Sequence, residues 1–180
     1  MTELTTSTTV VNWAILGTGA IANDMVQILK QLPHCNVLAV GSRTVAGANR
    51  FGDRWGIPRQ YGSYEEAASD KDVDICYIAT PSLRHPQDCL LAIKNGKAVL
   101  CEKSMAPNDT IAKEIFNAAN EANVLCVHGV WSPWITARAP CSHRRSQRRE
   151  SSTPASLHTS RAFWRPRQTF VWAQEPSGAL

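Results

Sequence analysis

Between Val11 and Val127 the chain passes repeatedly from short apolar runs to stretches whose apolar residues recur every three or four positions. The run VNWAIL at Val11 to Leu16 predicts a strand, and NVLAVG at Asn36 to Gly41 predicts a second, buried one. Between them, Ile21, Met25, Ile28, Leu29 and Leu32 share one face of a helix expected over Ile21 to Leu32. A further helix is expected from Ala46 to Trp55, ended by Gly56-Ile57-Pro58. Tyr61 marks a short third strand. Ser63 then stands at a helix cap with Glu66 three residues on, the two halves of a capping box. Val73 to Ala79 predicts the fourth strand, Pro86 to Lys94 a helix closed by Asn95-Gly96, and Ala98 to Cys101 the fifth strand. Asn108 to Ala122 carries the stripe Ile111, Ile115, Ala118, Ala119 and Ala122, and Val124 to Val127 follows as the sixth strand. Strands alternating with helices predict an α/β fold, a doubly wound parallel sheet covered on both faces. Beyond Trp134 neither period survives, so 11–134 is expected to be the folded domain, 1–10 a disordered lead and 135–180 an irregular segment rich in Arg, Ser and Pro.

Composition agrees with one globular core: 43% of the 180 residues are hydrophobic and 19% charged. No run of 18 apolar residues occurs, and MTELTTSTTV lacks the basic and apolar regions of a secretory signal. The six cysteines show no C-x-x-C spacing and the five histidines are scattered, so no metal site is expected, and a reducing, cytoplasmic setting is. Charge is uneven. The net +4 combines −2 before Arg138 with +6 from Arg138 onward, where eight arginines stand without a lysine and with only Glu150 and Glu175.

The first strand runs into Gly17-Thr18-Gly19-Ala20-Ile21-Ala22 and then a helix. This is the opening of a dinucleotide-binding unit, in which the first glycine makes the tight turn and the second lets backbone N–H groups approach a pyrophosphate. The second strand ends in Ser42-Arg43-Thr44. An NAD site needs a carboxylate there for the ribose 2′-hydroxyl, whereas a hydroxyl and a guanidinium suit the 2′-phosphate of NADP. The bland alternative for Arg43 is a solvated loop cation. At the ends of the fourth and fifth strands stand Thr80-Pro81-Ser82, with His85 behind, and Cys101-Glu102-Lys103. Ligands of open α/β sheets bind at these carboxyl ends. Lys103 is therefore the candidate proton donor or electrophile, with Glu102 able to orient it. Against this stand a solvated lysine at a strand end and a histidine that merely starts a helix.

GTGAIA, AVGSR, YGSYEEAASDKDVDICYIATPSLRH, NGKAVLCEKSMAPN and VHGVW, in this order and spacing, resemble the glucose-fructose oxidoreductase / inositol dehydrogenase (Gfo/Idh/MocA) family, above all its dihydrodiol and NADP-dependent D-xylose dehydrogenase branch. The resemblance covers about Val11 to Trp134. It implies a Rossmann-type domain and an NADP-dependent enzyme that moves a hydride from a diol or cyclic sugar to nicotinamide. Lys103 would then be the lysine of the family's E-K-P motif, contacting substrate and nicotinamide. Thr80, Pro81 and His85 would line the cofactor, and Trp131 would border the substrate pocket; the alternative for Trp131 is an aromatic plugging the sheet edge. A homodimer is the family's expected state, with no membrane contact.

Three departures from the family stand out. Ser104 replaces the proline after the lysine; if that bond is cis, a non-proline residue there costs a few kcal/mol or moves Lys103. His128 replaces an acidic residue before the tryptophan. The family's second domain would need roughly another 150 residues, so a truncated chain, weakly active or inactive, is expected. The abrupt change at Arg138 is the pattern of a shifted reading frame or a retained intron. A rival reading is a non-catalytic nucleotide-binding protein whose basic arm, Ser142 to Arg149, binds nucleic acid.

Overall fold

The structure, a computed structural model, describes residues 9–130. Calls of the sequence on Met1 to Thr8, on Trp131 and on 135–180 fall outside it; Thr9 and Val10 are exposed and belong to no element. The chain runs β1 (Val11–Leu16), α1 (Ala20–Leu29), β2 (Cys35–Gly41), α2 (Val45–Trp55), β3 (Arg59–Tyr61), α3 (Tyr64–Ser69), β4 (Ile75–Ile78), a 3₁₀ turn (Ser82–Arg84), α4 (His85–Lys94), β5 (Ala98–Glu102), α5 (Asp109–Glu121) and β6 (Cys126–Gly129). The six strands form one sheet in the order β3-β2-β1-β4-β5-β6, and every pair is parallel. This is the Rossmann order, with the crossover reversing direction between β1 and β4.

The core divides as strand alternation requires. Ala14, Leu16, Cys76 and Ile78 point to one face, against α3, α4 and α5, where Ile93, Ile115 and Ala119 are buried. Ile15 and Tyr77 point to the other, against Val26 and Leu29 of α1 and Phe51 of α2. Both faces of the central strands are thus closed to water, and their near-continuous apolar runs follow from that.

Local chemistry sets the helix ends. Thr44, Ser63 and Asn108 each accept a backbone N–H from three residues on, from Gly47, Glu66 and Ile111 respectively. α2 stops at Gly56 in the left-handed region, and Gly96 does the same beyond α4. α1 alone among these starts on a glycine with no side-chain cap.

Two sequence readings are corrected. α1 ends at Leu29, and its buried face is Ala22, Val26 and Leu29; Ile28 and Leu32 are 48% and 47% exposed. The helix carries apolar residues around most of its girth, so two stripes fit its pattern, and the turn at Gly17–Gly19 decides which of them meets the sheet. The sixth strand lies at Cys126–Gly129 rather than Val124 to Val127, because its register is set by pairing with β5, Val99 opposite Cys126 and Glu102 opposite Gly129. The remaining elements begin or end within two residues of the expected bounds.

Truncation separates the two α1 stripes. Val26→Ala is expected to lower the unfolding free energy by about 2 kcal/mol, and Ile28→Ala by no more than about 0.5 kcal/mol, as read from urea titrations with unchanged slope.

Candidate functional site

β1 ends against its two neighbours. The Gly17 N–H donates to Gly41 O at 3.0 Å, and the Ala79 N–H to Leu16 O at 2.8 Å, so the exits of β1, β2 and β4 form one line. Gly17 has φ +109°, and a Cβ placed on it would lie 2.5 Å from Ala79 O and 3.1 Å from Thr80 N. Only glycine fits there. Gly19 is the opposite case: a Cβ on it would meet nothing within 4 Å. It caps α1 with φ −83° and no side-chain bond, and Gly19 and Ala20 are exposed beside half-exposed Thr18 and Ile21. A helix N-terminus without a side-chain cap, facing free space, offers its first-turn N–H groups and dipole to an anion. The shape fits the pyrophosphate of a dinucleotide: a backbone closed behind and open in front.

At the exit of β2, Ser42 is buried and its N–H donates to Tyr61 O. Its hydroxyl lies under the first turn of α2, where a Cβ on Gly47 would come within 2.6 Å of Oγ. Arg43 is exposed and has no ion-pair partner among the described residues. No carboxylate stands in this loop.

The exit of β4 is held by hydrogen bonds from within. Thr80 Oγ1 donates to Asp88 Oδ2 at 2.6 Å, and Asp88, almost wholly buried, also takes Arg84 Nη2 at 2.9 Å. Pro81 is exposed, and two residues on Leu83 is 91% exposed. His85 is buried, with Nε2 2.8 Å from Thr80 O and Nδ1 2.7 Å from Ser104 O. Neither ring nitrogen is left to face a ligand.

At the exit of β5, Glu102 is buried and Lys103 exposed. The sequence suggested that Glu102 orients Lys103. Glu102 Oε2 accepts the Lys103 backbone N–H at 3.3 Å, while Oε1 takes the Tyr77 hydroxyl at 2.6 Å, and no ion pair joins the two side chains. Burial, and then the carboxylate beside it, push the Tyr77 phenol far above its ordinary range, so Tyr77 remains a donor at any working pH. The Lys103–Ser104 peptide bond is cis. On β6, His128 Nε2 accepts the Met105 N–H at 3.3 Å. Burial lowers the His128 pKa, with Glu102 opposing and His85 adding to the fall, which suits a neutral acceptor.

The structure therefore gathers Gly17, Thr80, His85, Glu102 and Lys103 along the carboxyl edge of the sheet, with Gly19 and Arg43 on the same edge at the ends of β1 and β2. Tyr77 and Asp88 escaped the sequence reading, and His128 entered it only as a departure from the family. A tyrosine inside an apolar strand needs a partner for its hydroxyl, which is a usable signal; nothing in the sequence marks Asp88 as a buried carboxylate. Among the described residues no three His, Cys, Asp or Glu groups could hold a metal ion, and no helix is long and apolar enough to cross a membrane.

The domain is similar to known proteins. The family model described as "Oxidoreductase family, NAD-binding Rossmann fold" matches residues 11–130. A trans-1,2-dihydrobenzene-1,2-diol dehydrogenase of Mus musculus is 39% identical over 127 residues, covering 69% of this chain and 38% of its own; that of Bos taurus is 33% identical over 175 residues, 93% and 51%. The chain thus spans about half or less of these relatives. A 3-ketoreductase from Actinomadura kijaniata in complex with NADP and TDP-benzene superposes with a TM-score of 0.64 and 28% identity, over 67% of this chain and 37% of that one.

Two substitutions test the geometry. Gly17→Ala is expected to lower stability by about 2 kcal/mol or more, because the side chain meets backbone and the positive φ is strained. Tyr77→Phe leaves Glu102 Oε1 without its donor and is expected to cost about 1–3 kcal/mol. Both are read by urea unfolding.

Proposed function

This chain belongs to the Gfo/Idh/MocA oxidoreductase family, and from that premise we propose that residues 11–130 bind NADP in preference to NAD and form the nicotinamide half of a dehydrogenase acting on the CH–OH group of a diol or cyclic sugar. The observation that carries the reading is the contrast at the glycine turn, Gly17 packed on Ala79 and Gly19 facing free space above an uncapped helix. The pyrophosphate would lie on Gly17 to Ile21, held by backbone N–H groups. Ser42 and Arg43 would hold the 2′-phosphate; an exposed guanidinium with no acidic neighbour in the loop is what a phosphate needs, and a ribose hydroxyl does not. Thr80, Pro81 and Glu102 would line the nicotinamide side, with His85 acting from behind them.

When bound, the nicotinamide ring supplies the hydride acceptor. Lys103 then has the chemistry this chain contributes: on a strand end fixed by the Glu102–main-chain bond, its side chain reaches solvent and would hold the substrate oxygen and take part in moving the hydroxyl proton. Trp131, two residues past β6, would border the substrate. The trans-dihydrodiol or D-xylose type of substrate is drawn from the resemblance and from the names of the relatives, whose greater length gives them residues beyond this domain. A homodimer belongs to the same reading.

Titration of the purified chain with NADPH and NADH, followed by nucleotide fluorescence, tests this. Saturable binding with NADPH tighter is expected. Arg43→Ala is expected to cost NADPH about tenfold or more in affinity, from the loss of a charge-assisted contact, and to leave NADH unchanged. Gly19→Val should abolish binding of both with the circular dichroism spectrum intact, since its side chain enters empty space. No saturable signal with either nucleotide overturns the reading, and a preference for NADH overturns the part given to Arg43.

A further inference from the structure

His85 is 2% exposed, and each ring nitrogen points at a carbonyl oxygen, Nδ1 at Ser104 O across 2.7 Å and Nε2 at Thr80 O across 2.8 Å. A carbonyl oxygen only accepts. A neutral imidazole has one N–H and one lone pair, so in either tautomer one of these contacts would set two lone pairs against each other at hydrogen-bond distance. Only the imidazolium donates to both. We propose that His85 is a buried, doubly protonated clamp that joins the exit of β4 to the turn after β5, and so makes the seat of Lys103 sensitive to pH.

The two carbonyls belong to different segments. Thr80 follows β4, and Ser104 follows Lys103 at the far end of β5, nineteen residues from His85. The two strand exits that bracket the proposed nicotinamide side are therefore held at a common spacing by one ring. His85 sits at the start of α4, where the helix dipole disfavours a cation, so the ring owes its charge to its partners. Burial pulls its pKa down, but the Cys101 thiol and the two carbonyl oxygens outweigh that and hold it at about 9. The titratable groups around it come from three elements: Cys101 on β5, the free thiol of Cys89 on α4 beside Cys101, and His128 on β6. Cys101 is itself drawn down, first by Cys89 and then by His85. Because the folded-state pKa lies above that of an unfolded histidine, the clamp contributes its full stabilisation below about 6.5. That contribution is lost as pH rises through about 9. His85 is a positioning residue here, acting on Lys103 through the Ser104 carbonyl.

Nitrogen-15 NMR of the labelled chain tests this without any ligand, so its outcome is independent of the nucleotide reading. At pH 7 both ring nitrogens of His85 are expected to carry protons. The His85 ring is then expected to lose one proton near pH 9, and the backbone amides of Lys103, Ser104 and Met105 to shift in the same transition. In His85→Gln that amide transition disappears. Through-bond assignment from the His85 backbone keeps the wild-type titration decisive if the variant does not fold. A ring bearing one proton at pH 7, or amides at 103–105 that do not follow it, overturns the proposal.

Discussion

The approach of Gly17 to the exit of β4 is the constraint from which the site is built. β1 lies between β2 and β4, and at its end the backbone comes so close to Ala79 that a single methyl group would strike a carbonyl oxygen at 2.5 Å. That contact forces the chain to turn at once into α1, aims the helix N-terminus along the carboxyl edge, and brings the loops of β1, β2 and β4 into one row. Everything offered to a nucleotide follows from this turn: Gly19 in free space, an uncapped helix end, and the Ser42–Arg43 loop beside them. The same turn selects which side of α1 faces the sheet.

Behind that row the polar groups are satisfied by the protein itself. Thr80 is tied to Asp88, Glu102 to Tyr77 and to the main chain, and His85 to two carbonyls. Buried polar groups without partners are costly, so these bonds hold each strand exit in place. Turned outward along the same edge are the backbone at Gly19 and Ala20, Arg43, Pro81 and Lys103.

Much of this was legible in the sequence, and the failures have physical causes. Strand and helix kinds followed from period, and Ser63–Glu66, Gly56 and Asn95-Gly96 marked ends that local chemistry alone decides. Gly17, Ser42, Thr80 and Lys103 lay on one edge because alternating strands and helices make a parallel sheet whose exits point the same way. The reading failed where a choice depended on a distant partner. α1 has two possible apolar faces, and β6 could slide by two residues until β5 pinned it. Glu102 was read only as able to orient Lys103, and no local pattern showed that its carboxylate takes the hydroxyl of Tyr77, twenty-five residues away.

The amino-acid sequence by itself determined the order and kind of the elements, the glycine turn, and the presence of a cation and absence of a carboxylate at the end of β2. These depend on near neighbours, since period, capping and turn conformation act over a few residues. Only the tertiary structure decided which histidine and which carboxylate are buried, what they bond to, and which charges are left facing outward. Those are outcomes of packing between segments far apart in the chain, where a hydrogen bond to the Ser104 carbonyl or from the Tyr77 hydroxyl sets the state of a side chain that no local pattern describes.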